Sequence, residues 1–284
     1  MSTTSGITAV ITGATGGLGL EAAAMLAGQG AAVILVGRDP GRLQAALHEV
    51  RGRTGSSAVS GLKANLDSQT EVRQLASDIL ARAPRLNLLI NNAGTVYARR
   101  TTTPDGIEAT FAVNHLAPYL LTRLLLDRIG ASAPARIVTV ASHAHYQGTL
   151  DLADYGYARG YRIMRAYARS KLGNVLFTRE LARRLEGTGV TANALHPGTI
   201  ATNIWSGAPA WARPVLAVAK RLVMESPSTG AARIAWLATS PDVAGVTGKY
   251  FERNRSVSPS ALAQDDALAG DLWALSARLV GLPA

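Results

Sequence analysis

The chain has 284 residues, 48% of them hydrophobic and 17% charged, a balance that suits a packed core and excludes intrinsic disorder. It contains no cysteine, which excludes disulfides, thiolate metal sites and a cysteine nucleophile. The formal net charge is +10. The basic residues are scattered among acids, as in Glu180-Leu181-Ala182-Arg183-Arg184, and form no block interleaved with aromatics. A solvated basic surface, with no nucleic-acid partner, is the expectation.

The start, Met1-Ser2-Thr3-Thr4-Ser5-Gly6, has no basic n-region and only a short apolar run after it, so no secretory signal is expected. The longest candidate for a membrane span, Pro209 to Met224, is interrupted by Arg213, Lys220 and Arg221. These readings predict a soluble, cytoplasmic protein without a stable membrane anchor.

In chain order, Ile7–Ile11 reads as a buried strand, followed by glycines and a periodic helix from Leu18 to Gly28. Ala32–Val36 is the next strand, then a helix from about Pro40 to Arg53. Val59–Leu62 precedes a helix around Glu71 to Ala83, and Leu86–Ile90 is a fourth strand. Arg136–Val140 is a fifth strand, Val190–Leu195 a sixth, and Lys249–Phe251 a short seventh, with a long helix to about Glu186 between the fifth and sixth. Apolar strands separated by helices predict a parallel sheet covered on both faces. The expected fold class is α/β: one Rossmann-like, doubly wound domain over residues 1–284. Ligands then sit beyond the carboxyl ends of the strands.

Thr12-Gly13-Ala14-Thr15-Gly16-Gly17-Leu18-Gly19 lies between the first strand and first helix. Glycines there let a pyrophosphate approach the backbone at a helix N-terminus. The second strand ends Val36-Gly37-Arg38-Asp39. An acidic residue at that end favours a free ribose 2′-hydroxyl, whereas the Arg38 fork can pair with a 2′-phosphate. Asp39 is expected to cap the following helix, leaving NADP(H) preferred over NAD(H).

Tyr167-Ala168-Arg169-Ser170-Lys171 places a phenol and an ammonium on one helix face. A tyrosine pKa near 10 is too high for ready exchange at neutral pH, and a neighbouring cation lowers it. Among other tyrosines, Tyr146, Tyr155, Tyr157 and Tyr161 are followed four positions later by Leu150, Arg159, Tyr161 and Arg165, none of them a compact ammonium. Asn91-Asn92-Ala93-Gly94 and Ser142 follow the fourth and fifth strands, and Asn114 lies in Phe111-Ala112-Val113-Asn114-His115. His143 and His145 adjoin Ser142 and read as surface or structural residues, with no metal constellation.

Taken together, these motifs resemble the classical short-chain dehydrogenase/reductase family over essentially the whole chain. Asn114-His115-Leu116, Lys171-Leu172-Gly173-Asn174-Val175-Leu176-Phe177 and Gly248-Lys249-Tyr250-Phe251 resemble its retinol-dehydrogenase-like branch. The resemblance implies that Ser142 hydrogen-bonds the substrate oxygen and Tyr167 exchanges the proton. It implies that Lys171 lowers the tyrosine pKa and holds the nicotinamide ribose, and that Asn114 supports a water-linked relay. It assigns cofactor contacts to Gly13, Thr15, Gly17, Leu18 and Gly19, to Asn92, Ala93 and Gly94, and to Pro197, Gly198, Ile200 and Thr202. Asn65-Leu66 stands where the family usually has Asp-Leu beside the adenine; an amide can donate and accept there. The step of 25 residues from Ser142 to Tyr167 matches an insertion in that branch.

A segment at about 203–225 is expected to cover the substrate, with Trp205, Trp211 and Val215 forming an apolar lid; a plain surface helix is the competing reading. The leading function is hydride transfer between NADP(H) and a carbonyl or alcohol of a small hydrophobic molecule. A non-redox cyclase or epimerase using the same groups, and a cofactor sensor without turnover, are the alternatives; the intact Ser142, Tyr167 and Lys171 set weighs against the sensor. A homo-oligomer is expected by analogy alone.

Overall fold

Strict alternation along the strands builds the molecule. In β1 (Thr8–Thr12), Ala9 and Ile11 face one core and Val10 the other. In β2 (Ala32–Gly37), Val33 and Leu35 join the first core while Ile34 and Val36 join the second. A strand apolar on both sides must be covered on both sides. The computed structural model describes residues 4–199 and 225–284. Besides β1 and β2, its sheet contains β3 (Val59–Lys63), β4 (Leu88–Asn91), β5 (Ala135–Val140), β6 (Val190–His196), β7 (Tyr250–Glu252) and β8 (Arg255–Val257). The order is β3-β2-β1-β4-β5-β6-β7-β8, parallel throughout except for the last pair.

Helices α1 (Gly17–Gly28), α2 (Pro40–Thr54) and α7 (Pro227–Thr239) cover one face. The other is covered by α3 (Gln69–Arg82), α5 (Ala117–Gly130), α6 (Ile163–Arg184) and α8 (Asp266–Leu279). The short α4 (Ala109–Phe111) passes through a π-helical turn, Ala112–Leu116, into α5. Local chemistry sets the ends. Asp39 caps α2 by accepting from the Arg42 N–H at 2.8 Å, with Pro40 in the first turn. Ser68 caps α3 and Asp265 caps α8 in the same way. In α6, Leu172 and Leu176 are fully buried, so truncating either to Ala costs about 2–5 kcal/mol.

The predicted parallel sheet is the observed one, with strand ends shifted by one or two residues. Helices α4, α5, α7 and α8, and strand β8, lie outside the sequence expectations. α5 follows the π-helical turn directly, with no side-chain cap at its start and Pro118 in its first turn, so no capping signal marks where it begins. β7 and β8 are joined through Arg253 and Asn254, both with positive φ (47° and 61°), a hairpin geometry usually advertised by Asn-Gly.

Neighbouring strands advance in opposite directions from β1 and β4, so the sheet splits its crossovers there. The crevice at the carboxyl ends of these strands is where such sheets hold ligands.

Candidate active site

The crevice is a cleft of about 560 Å³ running from Arg38 and Arg42 at one end to Ser142, Tyr167 and His196 at the other. A larger hollow of about 750 Å³ lies at the amino ends of the strands, around Arg136 and Thr191; it holds none of the predicted site residues.

At the first end, Gly13 has φ +67°, and a Cβ there would lie 2.8 Å from the Ala93 backbone. A Cβ on Gly19 would meet Asn92 Nδ2 at 2.6 Å. The turn is tied by Asn92, whose amide donates to the carbonyls of Thr12 (2.9 Å) and Gly13 (3.2 Å). Thr12 Oγ1 in turn accepts from the Asn92 and Ala93 N–H groups. The Asn92 amide, assigned a cofactor contact by the resemblance, is bonded to the turn itself. α1 begins at Gly16–Gly17 with no side-chain cap and no acidic residue in its first turn, so its N-terminal donors and dipole are left for an anion.

Arg38 lines the cleft and is exposed, while Asp39 is held as the α2 cap, as expected. Arg42, which the sequence reading did not single out, lines the same end, and its guanidinium reaches to the Gly16 turn. It lies one helical turn into α2, a position whose direction only the fold reveals. Asn65 and Leu66 line the cleft as expected; the Asn65 N–H donates to Glu71. Tyr97, Val113 and Met164 also line it and carried no sequence signal.

At the other end, α6 delivers Tyr167 and Lys171 to the tip of β5. Lys171 is 2% exposed; its Nζ donates to the Val140 carbonyl at 2.8 Å and lies 5.7 Å from the centre of the Tyr167 ring. Burial lowers the ammonium pKa to about 8. Ser142, two residues past Val140, hydrogen-bonds the Tyr167 phenol. Burial moves that phenol up, and the Ser142 bond moves it down by less. The expected lowering by Lys171 is thus not what the protein alone produces, because removing the phenolate from water outweighs the help it receives.

Asn114 does not line the cleft. It sits behind Gly94 and Thr95, fully buried in the π-helical turn, a feature frequent at functional sites. Its Oδ1 accepts from the Thr95 N–H at 2.8 Å, and its Nδ2 donates to Thr95 O (2.9 Å) and Ser170 Oγ (3.0 Å). Arg169, 5% exposed, donates to the carbonyls of Thr149 and Asp154 and lies 3.5 Å over the Tyr157 ring. It clamps the insertion that separates Ser142 from Tyr167.

Pro197 and Gly198 line the cleft, with Thr199 beside them. The expectations for Ile200 and Thr202, and for a lid carrying Trp205, Trp211 and Val215, lie outside the described residues. His143 lines the cleft and is exposed, whereas His145 is fully buried. Among the described residues no acidic, histidine or cysteine cluster suits a metal, and no helix is long and apolar enough to cross a membrane.

Comparison with known proteins agrees with this geometry. The sequence pattern of the short chain dehydrogenase family matches residues 7–213. Human retinol dehydrogenase 13 is 41% identical over 288 residues, covering all of this chain and 87% of that protein. Mouse retinol dehydrogenase 14 is 41% identical, covering 98% of this chain and 86% of that one. A crystal structure of a Mycobacterium paratuberculosis protein superposes with a TM-score of 0.79 at 32% identity, covering all of this chain and 97% of that one. With its phosphate turn at the sheet's switch point and its Ser142, Tyr167 and Lys171 gathered at the tip of β5, the chain belongs to the short-chain dehydrogenase/reductase family, on the retinol-dehydrogenase-like branch.

Proposed function

We propose that the protein is an NADP(H)-dependent oxidoreductase that interconverts a carbonyl and an alcohol on a small hydrophobic molecule, with Tyr167 as the general acid–base group. The observation that carries the proposal is the convergence of Tyr167, Ser142 and Lys171 at one end of a cleft whose other end is a glycine turn flanked by two arginines. The residues present fit a dinucleotide. Uncapped α1 donors and a side-chain-free turn suit a pyrophosphate, and Arg38 and Arg42 suit a 2′-phosphate. When bound, the reduced nicotinamide supplies a hydride.

The chain's own residues do the rest. Ser142 Oγ orients the substrate oxygen by hydrogen bonding. Tyr167, whose phenol burial holds protonated at neutral pH, gives its proton to that oxygen as the hydride arrives, which suits carbonyl reduction. Lys171, held to Val140, places a cation beside the phenolate that forms and lowers the cost of its charge. Asn114 fixes the Thr95 segment that backs this corner.

The mammalian relatives are named for retinol, so long apolar alcohols and aldehydes stand first among substrates to try. The deciding experiment is NADPH consumption by purified protein across hydrophobic aldehydes and ketones. Tyr167→Phe is expected to lower kcat by about 100-fold or more while NADPH Kd changes less than about twofold. Undiminished turnover in that variant would refute the role of Tyr167. NADPH binding without consumption of any substrate would point instead to a non-redox cyclase or epimerase.

A further inference from the structure

We infer that His145 is a positioning residue for Ser142, coupling it to the chain segment that follows β8; this rests on Ser142 acting as proposed above. His145 lies in the 3₁₀ turn His143–Gln147 that Ser142 opens, and it is fully buried. Its Nε2 lies 3.2 Å from the Ser260 backbone N–H, which can only donate. Nε2 is therefore the accepting nitrogen, and the neutral ring carries its proton on Nδ1. That Nδ1–H points at the Ser142 carbonyl at 2.8 Å, and the His145 backbone N–H reaches the same oxygen at 3.1 Å. One ring thus joins Ser142 to Ser260 through its two nitrogens.

The surroundings hold the ring in place and in that form. It packs between Tyr146 and Tyr250, with ring centres 4.1 and 4.5 Å away. Burial disfavours its protonation, with His143 opposing and Glu252 favouring the charged form. Protonation would turn Nε2 into a donor facing a donor. The Tyr146 hydroxyl adds a parallel tie to the Ser258 carbonyl at 2.8 Å. On the other side the turn is pressed on α6: a Cβ on Gly148 would lie 2.8 Å from Leu172 Cβ, beside Lys171. The turn bearing Ser142 is held between the helix that carries Tyr167 and the segment 258–260. A serine that must meet the same substrate oxygen as Tyr167 needs that constraint, because displacement by about 1 Å can cost on the order of 100-fold in rate.

The test compares three replacements with Ser142→Ala as the control. His145→Leu removes both bonds and is expected to lower kcat by about 10-fold or more, leaving KM and NADPH Kd within about twofold. His145→Asn keeps a donor near the Nδ1 position and is expected to recover kcat to within about threefold of the parent. His145→Gln keeps an acceptor near the Nε2 position without the donor to Ser142, and is expected to stay near the Leu variant. If His145→Leu does not fold, the Asn–Gln contrast carries the test alone. Equal kcat for Asn and Gln, parental kcat in Leu, or NADPH affinity falling in step with kcat would each overturn the inference and leave His145 as packing. Parental turnover in Ser142→Ala would refute the role of Ser142 itself, a separate outcome.

Discussion

Lys171 shows what a single buried charge costs and why it is kept. Its folded pKa of about 8 lies below the unfolded value of about 10.4. Below pH 8 both states carry the proton, and the folded state bears the cost of burying it. As pH rises from 8 to 10.4 the unfolded chain holds the proton that the folded one has released, and the penalty fades. Lys171→Met is therefore expected to abolish turnover yet raise the Tm of the cofactor-free protein at pH 7 by about 3 °C or more. Scanning calorimetry at pH 7 and pH 10 checks this, and the gain should shrink at the higher pH. At the opposite end of the cleft, Arg38→Ala is expected to weaken NADPH binding by about 10-fold while changing NADH binding less than about twofold. Equal losses for both nucleotides in fluorescence titrations would remove the 2′-phosphate role. Arg38 and the Tyr167–Lys171 pair were legible because their chemistry follows from spacing along one strand or helix. Arg42 was not, since its approach to the Gly16 turn depends on how α2 packs beside α1.

Among the elements, the π-helical turn and α6 carry the demanding positions. The turn holds Asn114 against Thr95 and Ser170, and its next residue, His115, reaches α8, with Nε2 2.9 Å from Ser276 Oγ. Burial lowers the His115 pKa to about 3, and that of His196 to about 4. Unfolded histidine titrates near 6.5, so in both cases the folded form binds fewer protons. The stability they permit is present above pH 6.5 and is lost as pH falls toward the folded values. At pH 5 the His115 share is about 2 kcal/mol. His115→Gln is expected to remove about 2 kcal/mol of the loss in unfolding free energy between pH 7 and pH 5, measured in urea; an unchanged slope would contradict it. The π turn had no signature in the sequence, because an inserted residue in a helix changes the ladder without changing composition. α6 was legible from its amphipathic period and its Tyr–Lys pair.

At the scale of the molecule, the described residues share one sheet and pack on its two faces. Both cores run along the length of the sheet, one beneath α1, α2 and α7 and the other beneath α3, α5, α6 and α8. The cofactor cleft takes residues from nearly every crossover. Ligand binding at such a cleft stabilises all of it together. NADPH at about 100 times its Kd is expected to add about 2.7 kcal/mol and to move a single cooperative melting transition upward as a whole. A melt that splits, with only one component shifting, would show two independent units instead.

The sequence by itself determined the alternation of strand and helix, the parallel sheet, the glycine turn after β1, and the residues able to carry acid–base chemistry. Each of these depends on neighbours close along the chain: period, turn chemistry and spacing on one helix face. Tertiary structure decided which polar groups are spent on architecture and which face the cleft. It committed the Asn92 amide to the turn, set Asn114 behind the cleft wall, brought Arg42 to the phosphate end and buried His145 beneath Ser142. It also raised the Tyr167 phenol that a neighbouring cation alone would have lowered. Burial and long-range hydrogen bonding set these outcomes, and both exist only once distant segments have packed together.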